Sequence, residues 1–200
     1  IAGLVGSGRT ESMEGLCGLR RATGKIEIMG RSVAIQRPSD ALDHGLSYLT
    51  EDRKTRGLLL SKTMRENVTL QALDRFGTFF IDNSAEEEAL DRSIREFDIR
   101  AGDRDVMVGN LSGGNQQKLL LAKVMLSEPE ILVVDEPTRG IDIGTKQQIY
   151  QFIRELADAG KSIILISSEM QELIGLCDRI FVMRHGRIAG DLRGADIAER

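Results

Sequence analysis

An α/β fold with a largely parallel sheet, a small antiparallel β part and an inserted helical lobe is predicted by three features of this sequence. Short apolar runs rich in Val and Ile, such as 131–134 and 163–166, alternate with helical patterns. From Glu51 to about Val106 the composition turns charged and helical, as an insertion would. The 200 residues, 41% hydrophobic, suffice for one sizeable core and fall short of two independent ones.

Taken in order, the chain opens on a glycine-rich loop that runs into a helix. Ile26 and Ile28, then Val33 and Ile35, split by Gly30-Arg31, read as a small hairpin. Ser39 is expected to cap a short helix ending at Gly45, and 46–49 follows as a strand. In the charged lobe, Ser84 and Glu87 predict a capping box for a helix over 85–97, with Glu86, Glu87 and Glu88 as a solvated face favoured by the helix dipole. Alternation then returns as helix 115–126, strand 131–134, helix 145–159 and strand 162–167. Within 145–159, Ile149, Phe152, Ile153, Leu156 and Ala157 recur at helical spacing and form a core-facing stripe. Residues 180–183 and 187–189, turning at His185-Gly186, predict a closing hairpin. The seven methionines are expected as core filler, and His44 and His185 as turn residues.

Composition excludes several classes of function. Apolar runs are strand-sized, far below the roughly 18 residues of a membrane span. With 27 Lys and Arg against 31 Asp and Glu, the net charge of -4 argues against nucleic acid as a main partner. Cys17 and Cys177 lack any CxxC or His companion, which predicts neither a disulfide framework nor a metal cluster and fits a reducing, cytosolic setting. A start at Ile1, without Met or a secretory pattern and only two residues before the glycine loop, reads as a fragment whose N-terminal strands are missing.

Three motifs carry chemistry. Residues 3–10 match the phosphate-loop pattern GxxxxGK[ST] at every fixed position except the lysine, which is Arg9. Gly3, Gly6, Ser7 and Gly8 let backbone N–H groups converge on phosphate oxygens, and the Thr10 hydroxyl suits Mg²⁺. A guanidinium is planar and demands fork geometry where lysine is a compact point charge, so Arg9 predicts retained binding and weakened catalysis. Next, Asp135 and Glu136 end an apolar strand, at the edge where open α/β sheets bind ligands. Asp135 is the expected Mg²⁺ ligand and Glu136 the residue that orients and polarises the attacking water. Finally, Leu111, Ser112, Gly113, Gly114, Asn115 and Gln116 open a helix with a hydroxyl and bare amides, a second anion-directed loop. Two such loops on one domain suggest that the second serves a nucleotide held by another copy.

In this order, the phosphate loop, LSGGNQQK, ILVVDEPT and Arg139-Gly140-Ile141-Asp142 resemble an ATP-binding cassette, the motor domain of ABC transporters. With Glu51-Asp52-Arg53-Lys54 and Ser167-Ser168-Glu169-Met170 the chain is similar to the second cassette of two-cassette ATPases for bacterial monosaccharide import, of the ribose, xylose, galactose or arabinose type. The resemblance implies a phosphate-loop NTPase core over 1–51 and 115–200, with a helical lobe over 52–114 carrying the signature loop. It further implies ATP and Mg²⁺ as cofactors, and a second cassette, membrane permease subunits and, indirectly, a sugar-binding protein as partners. The implied location is peripheral, on the cytoplasmic face of the bacterial inner membrane. Arg65, Glu66 and Asn67 lie where the family faces its membrane partner.

Departures from the family pattern cluster on one site. Arg9 replaces lysine, Glu51 stands where most cassettes have glutamine, and Ser168 where they have a histidine that contacts the γ-phosphate; Asp142 matches the switch and dimer-contact pattern. The expectation is an asymmetric pair, in which this cassette's own site turns over slowly or not at all while Ser112, Gly113 and Gly114 complete the other. Alternatives are a non-hydrolysing nucleotide clamp and a cassette ATPase acting on DNA or ribosomes.

Overall fold

The computed structural model describes residues 1–197. Helix α1 (Arg9–Leu16) follows Gly8, whose left-handed φ of 93° favours glycine. Strands β1 (Ile26–Ile28) and β2 (Arg31–Val33) pair antiparallel around Met29 and Gly30, at φ of 50° and 74°, the two positive values of a type I′ turn. Helix α2 (Pro38–Asp43) starts from Arg37, not from Ser39. Pro38 suits the first helical turn, and the Asp40 carboxylate accepts from the Gln36 and Arg37 N–H groups, 2.9 Å each, so the cap falls two residues earlier. Strand β3 (Leu46–Leu49) follows Gly45.

The helical segment begins with α3 (Met64–Thr69). Its capping box pairs Thr63 Oγ1 with the Glu66 N–H at 3.3 Å and Glu66 Oε2 with the Thr63 N–H at 2.9 Å. Helix α4 (Asn83–Glu96) is capped by Asp82, which accepts from the N–H groups of Ser84 and Ala85 at 2.9 and 3.1 Å. That carboxylate satisfies the first orphan amides, so the Ser84–Glu87 box does not form, and Glu87 instead pairs with Arg104 at 2.8 Å. The acidic run is also split by burial: Glu86 is buried, accepts the Thr69 hydroxyl at 2.5 Å and faces Arg65 at 3.6 Å, and so is not a solvated residue. Asn67 is fully buried and bonds the backbone of Leu59 in both directions, at 2.7 and 3.0 Å, which makes it a brace for the preceding loop.

Helix α5 (Gly113–Met125) is capped by Ser112, followed by β4 (Ile131–Asp135), α6 (Ile143–Asp158), β5 (Ser162–Ile166), α7 (Met170–Leu176), β6 (Arg179–Arg184) and β7 (Arg187–Arg193). Sheet order is β3-β4-β5, with β4 and β5 parallel in register Val133 with Ile164 and Asp135 with Ile166. β6 and β7 form the expected antiparallel hairpin. Ala2 bonds β6 through Phe181 O and the Met183 N–H, 2.8 Å each, while Ile1 O accepts from the Ser167 N–H at 3.4 Å. The glycine loop is thereby launched beside the C-terminal end of β5.

Two compact units emerge. One comprises Ile1–Tyr48, Pro129–Pro137 and the chain from Tyr150 onward; its core gathers Cys17, Ala41, Leu46, Val133 and Ile166. The other comprises Leu49–Glu128 and Thr138–Ile149. It takes in α5 and residues 138–149 besides the lobe expected over 52–114, because α5 buries Leu119, Leu120, Leu121 and Val124 where α3 and α4 pack. Among the methionines, Met64 and Met183 are buried, whereas Met29, Met107 and Met170 are exposed and fill no core. Both cysteines are free.

The capping box of α3 makes acid sensitivity legible. Hydrogen bonds from the Thr63 backbone and the Lys62 ammonium hold the Glu66 carboxyl down at about 2, against an ordinary 4.5. A depressed folded value contributes stability above the ordinary value, lost as pH falls from 4.5 toward 2. Across that window the melting temperature of the parent protein should drop more than that of Glu66→Gln; parallel slopes would contradict the assignment. At neutral pH, Thr63→Ala should cost about 1 kcal/mol in denaturant unfolding.

Candidate functional site

In the first unit, the loop between Ala2 and α1 is shaped by three glycines at positive φ: 153° at Gly3, 78° at Gly6 and 93° at Gly8. Packing adds a second demand at Gly3, where a Cβ would lie 2.6 Å from both Met183 O and Ser7 Oγ. At Gly6 nothing lies within 4 Å, so the dihedral alone asks for glycine there. Leu4 and Val5 stand out at the rim, 85% and 92% exposed, while Ser7 is buried and its hydroxyl has no hydrogen-bond partner among the described residues. Positive-φ residues at 3, 6 and 8 feeding a helix N-terminus are a backbone path suited to phosphate oxygens.

Strand β4 delivers Asp135 fully buried at its C-terminal end, where Tyr48 of β3 donates its phenol proton to Oδ2 at 2.7 Å. Glu136 then takes a left-handed φ of 45°, rare outside glycine, while its N–H bonds Ile166 O at 2.9 Å. The strained turn aims the Glu136 side chain out of the strand and keeps it at the sheet end. Both carboxylate oxygens are engaged: Arg9 Nη2 approaches Oε1 at 3.4 Å, and the Ser168 hydroxyl donates to Oε2 at 3.1 Å. Arg9 is only 7% exposed, and its Nη1 donates to Ser167 O at 2.6 Å. The residue that replaces the phosphate-loop lysine is therefore held by the ends of β4 and β5.

The two residues expected to take Mg²⁺, Thr10 in the first turn of α1 and the buried Asp135 at the end of β4, carry oxygen donors of the hard kind that Mg²⁺ prefers. Among the described residues no group of three or more His, Cys, Asp or Glu converges as a metal cage. Such a donor set fits an ion that takes one or two protein oxygens and completes its shell with phosphates and water. The glycine loop fits the phosphates themselves.

A second constellation lies in the other unit. Ser112 is exposed and caps α5 by accepting from the Asn115 N–H at 3.3 Å, and the Asn115 amide also donates to its hydroxyl at 3.0 Å. Leu111 is buried, and the buried Gln116 amide donates to Val108 O and Leu111 O at 3.1 and 3.2 Å. Gln116 thus braces the loop from behind. A Cβ at Gly113 would lie 3.0 Å from Arg53 Nη2, and one at Gly114 would lie 2.7 Å from Thr145 Oγ1. Arg53 Nη1 donates to Arg139 O at 3.0 Å, and Arg139 in turn pairs with Glu51 at 2.8 Å. Glutamine at position 51 could not supply that ion pair. Asp142 accepts from the Thr145 N–H and hydroxyl at 2.9 and 2.8 Å, which holds its carboxyl below the usual range. Glu51, Arg53, Gly113, Arg139 and Asp142 therefore share one neighbourhood.

Sequence reasoning singled out Arg9, Asp135, Glu136 and Ser168 separately, and the fold brings Arg9, Glu136 and Ser168 into direct contact. That reasoning missed Tyr48 and Thr145, and took Arg53 only as part of the 51–54 segment. Only Tyr48 left a signal, as one of two tyrosines in the chain and a phenol in a four-residue strand beside the acidic pair.

The sequence profile described as ABC transporter matches residues 1–139. Among curated relatives, the ribose import ATP-binding protein RbsA 2 of Rhizobium meliloti (strain 1021) is 46% identical over 201 aligned residues, covering all of this chain and 39% of that protein. Its Clostridium perfringens (strain 13 / Type A) counterpart is 44% identical, covering 96% of this chain and again 39% of the relative. This chain thus spans about two-fifths of the length of the relatives it matches. A solved dimer of the ATP-binding cassette MJ0796 bound to ADP and Pi superposes with a TM-score of 0.81 at 18% identity, covering 96% of this chain and 83% of that one. A nucleotide-free ATP-binding cassette from an ABC transporter gives 0.81 at 21% identity, with coverage of 98% and 80%. At such identities these two speak for the fold.

The tight fit of Gly114 against Thr145 generates a prediction. Gly114→Ala should force the loop or the Asp142–Thr145 turn to shift, at a cost of about 1–3 kcal/mol in denaturant unfolding. Pairing it with Thr145→Ser, which removes the Cγ2 methyl but leaves Oγ1, should recover only part of that loss; full stability in the single variant would contradict the packing.

Proposed function

This chain belongs to the ABC transporter family, and from that premise we propose that it is an ATP-driven motor domain for import of a monosaccharide through a membrane permease. The observation that carries the reading is the 46% identity, over the whole chain, to a protein named for ribose import and ATP binding. In this reading the glycine loop holds the nucleotide phosphates, with Thr10 and Asp135 taking Mg²⁺ and Glu136 orienting water. Ser112, Gly113 and Gly114 act in trans on the nucleotide of a second cassette, for which the remaining length of the relatives leaves ample room. Permease subunits and an extracytoplasmic sugar-binding protein complete the assembly, with the motor peripheral on the cytoplasmic face of the membrane. The unit built from 1–48, 129–137 and 150 onward binds nucleotide, and the unit that includes the lobe expected over 52–114 carries the signature.

The cassette's own site is degenerate in this proposal. What supports it is the placement of Arg9: a buried guanidinium bonded to Ser167 O and Glu136 is engaged by the protein, where a phosphate-loop lysine would be reaching for β- and γ-oxygens. Ser168 donates one hydroxyl to Glu136 and lacks the imidazole that would meet a γ-phosphate. A second reading, a clamp that binds nucleotide at this loop and never hydrolyses it, is favoured by the same Arg9 contacts and opposed by the retained Glu136.

The test is sugar-stimulated ATPase activity of the full-length protein with its permease. Ser112→Arg should collapse the rate by about 10²- to 10³-fold, as expected when a positioned donor is lost from the transition state. Glu136→Gln should leave the rate within about twofold. Collapse in Glu136→Gln would mean that the own site fires, and absence of sugar-stimulated turnover in the parent complex would defeat the motor reading itself.

A further inference from the structure

Asp135 is reached by a side chain outside every motif. Tyr48 lies on β3, beside β4 in the sheet, and its ring packs against the core cluster of Leu46, Val133 and Ile166. Leu46 and Tyr48 are two residues apart and so share a face of the strand. A phenol with two side-chain torsions, its ring wedged against that core, has little freedom in where it points its hydroxyl. It points at Asp135 Oδ2, 2.7 Å away, and Asp135 is completely buried.

We infer that Tyr48 is a positioning residue for Asp135, fixing the rotation of its carboxylate so that the ion accompanying the nucleotide meets an oriented ligand. The inference rests on Asp135 serving as a Mg²⁺ ligand. A phenol suits the task because it is a donor without charge: it orients the carboxylate without neutralising it, as a lysine or arginine at the same distance would. Partners that orient a metal ligand through a hydrogen bond typically change metal affinity by about 10- to 100-fold when removed. The bland account is that Asp135 merely satisfies a half-buried phenol, in which case the hydroxyl matters to packing and not to the ion.

Tyr48→Phe separates the two, since it deletes one oxygen and keeps the ring. The readout is photolabelling of this cassette by an azido-ATP probe in the full-length protein, mapped to its peptides and titrated with Mg²⁺, alongside labelling in excess EDTA. Tyr48→Phe should raise the Mg²⁺ midpoint about tenfold and leave labelling in EDTA unchanged. Asp135→Asn, run in parallel, should abolish the Mg²⁺ dependence. An unchanged midpoint in Tyr48→Phe with a lost dependence in Asp135→Asn would overturn the role of Tyr48 alone. Equal losses in Mg²⁺ and in EDTA would reduce Tyr48 to a packing residue and overturn it as well. A normal midpoint in Asp135→Asn would defeat the reading of Asp135 as the Mg²⁺ ligand, and the inference with it.

Discussion

Arg9 ties together the end of the first unit at which a nucleotide is proposed to bind. Its guanidinium joins the glycine loop to the ends of two parallel strands, through Ser167 O after β5 and Glu136 after β4. The group is almost wholly buried, and a buried cation is tolerable only when its donors are taken up. Its surroundings are built to take them up: the left-handed turn at Glu136 brings the carboxylate to it, and Ser168 secures the second oxygen. A lysine would have to serve both partners from a single nitrogen, whereas the guanidinium reaches Ser167 O and Glu136 through two separate ones.

From this constraint follows a division of labour. The first unit keeps the parts proposed to hold phosphate and Mg²⁺, the positive-φ glycines and the buried Asp135, but directs its cation toward Ser167 O and Glu136. The second unit keeps an exposed Ser112 at the start of a well-capped helix, braced by Gln116 and flanked by Arg53. The acidic Glu51 is tied to Arg139, so each departure from the family pattern is answered by a partner inside its own unit.

How much of this was legible in the sequence depended on whether the information was local. Glycines 3, 6 and 8 announced a backbone path that a side chain at those positions would strain, and Ser112 announced a helix start; both are local rules, and both hold in the structure. The strands β4 and β5 were readable because buried parallel strands are short runs of Val, Leu and Ile. Caps were misplaced where two candidates stood close together. Asp82 and the Pro38–Asp40 pair won over Ser84 and Ser39 because a carboxylate or a ring-fixed φ at the right offset satisfies more orphan amides. Burial of Glu86 was illegible, since it depends on Arg65 and Thr69, one helix away. The contacts of Arg9, Tyr48 and Arg139 span 86 to 158 positions in sequence, and no local pattern encodes which distant partner such side chains find.

The central claim, that Arg9 is committed to Glu136, is tested most directly by a double-mutant cycle in denaturant unfolding. Arg9→Met, Glu136→Gln and the pair would be compared in the nucleotide-free protein. Groups in direct contact couple by about 0.5–3 kcal/mol, and burial places this pair in the upper part of that range. A coupling of about 1 kcal/mol or more, with the double variant less damaged than the sum of the singles, is the predicted result. Additivity within about 0.5 kcal/mol would mean that Arg9 does not hold Glu136, and the account of a cation turned away from phosphate would fail.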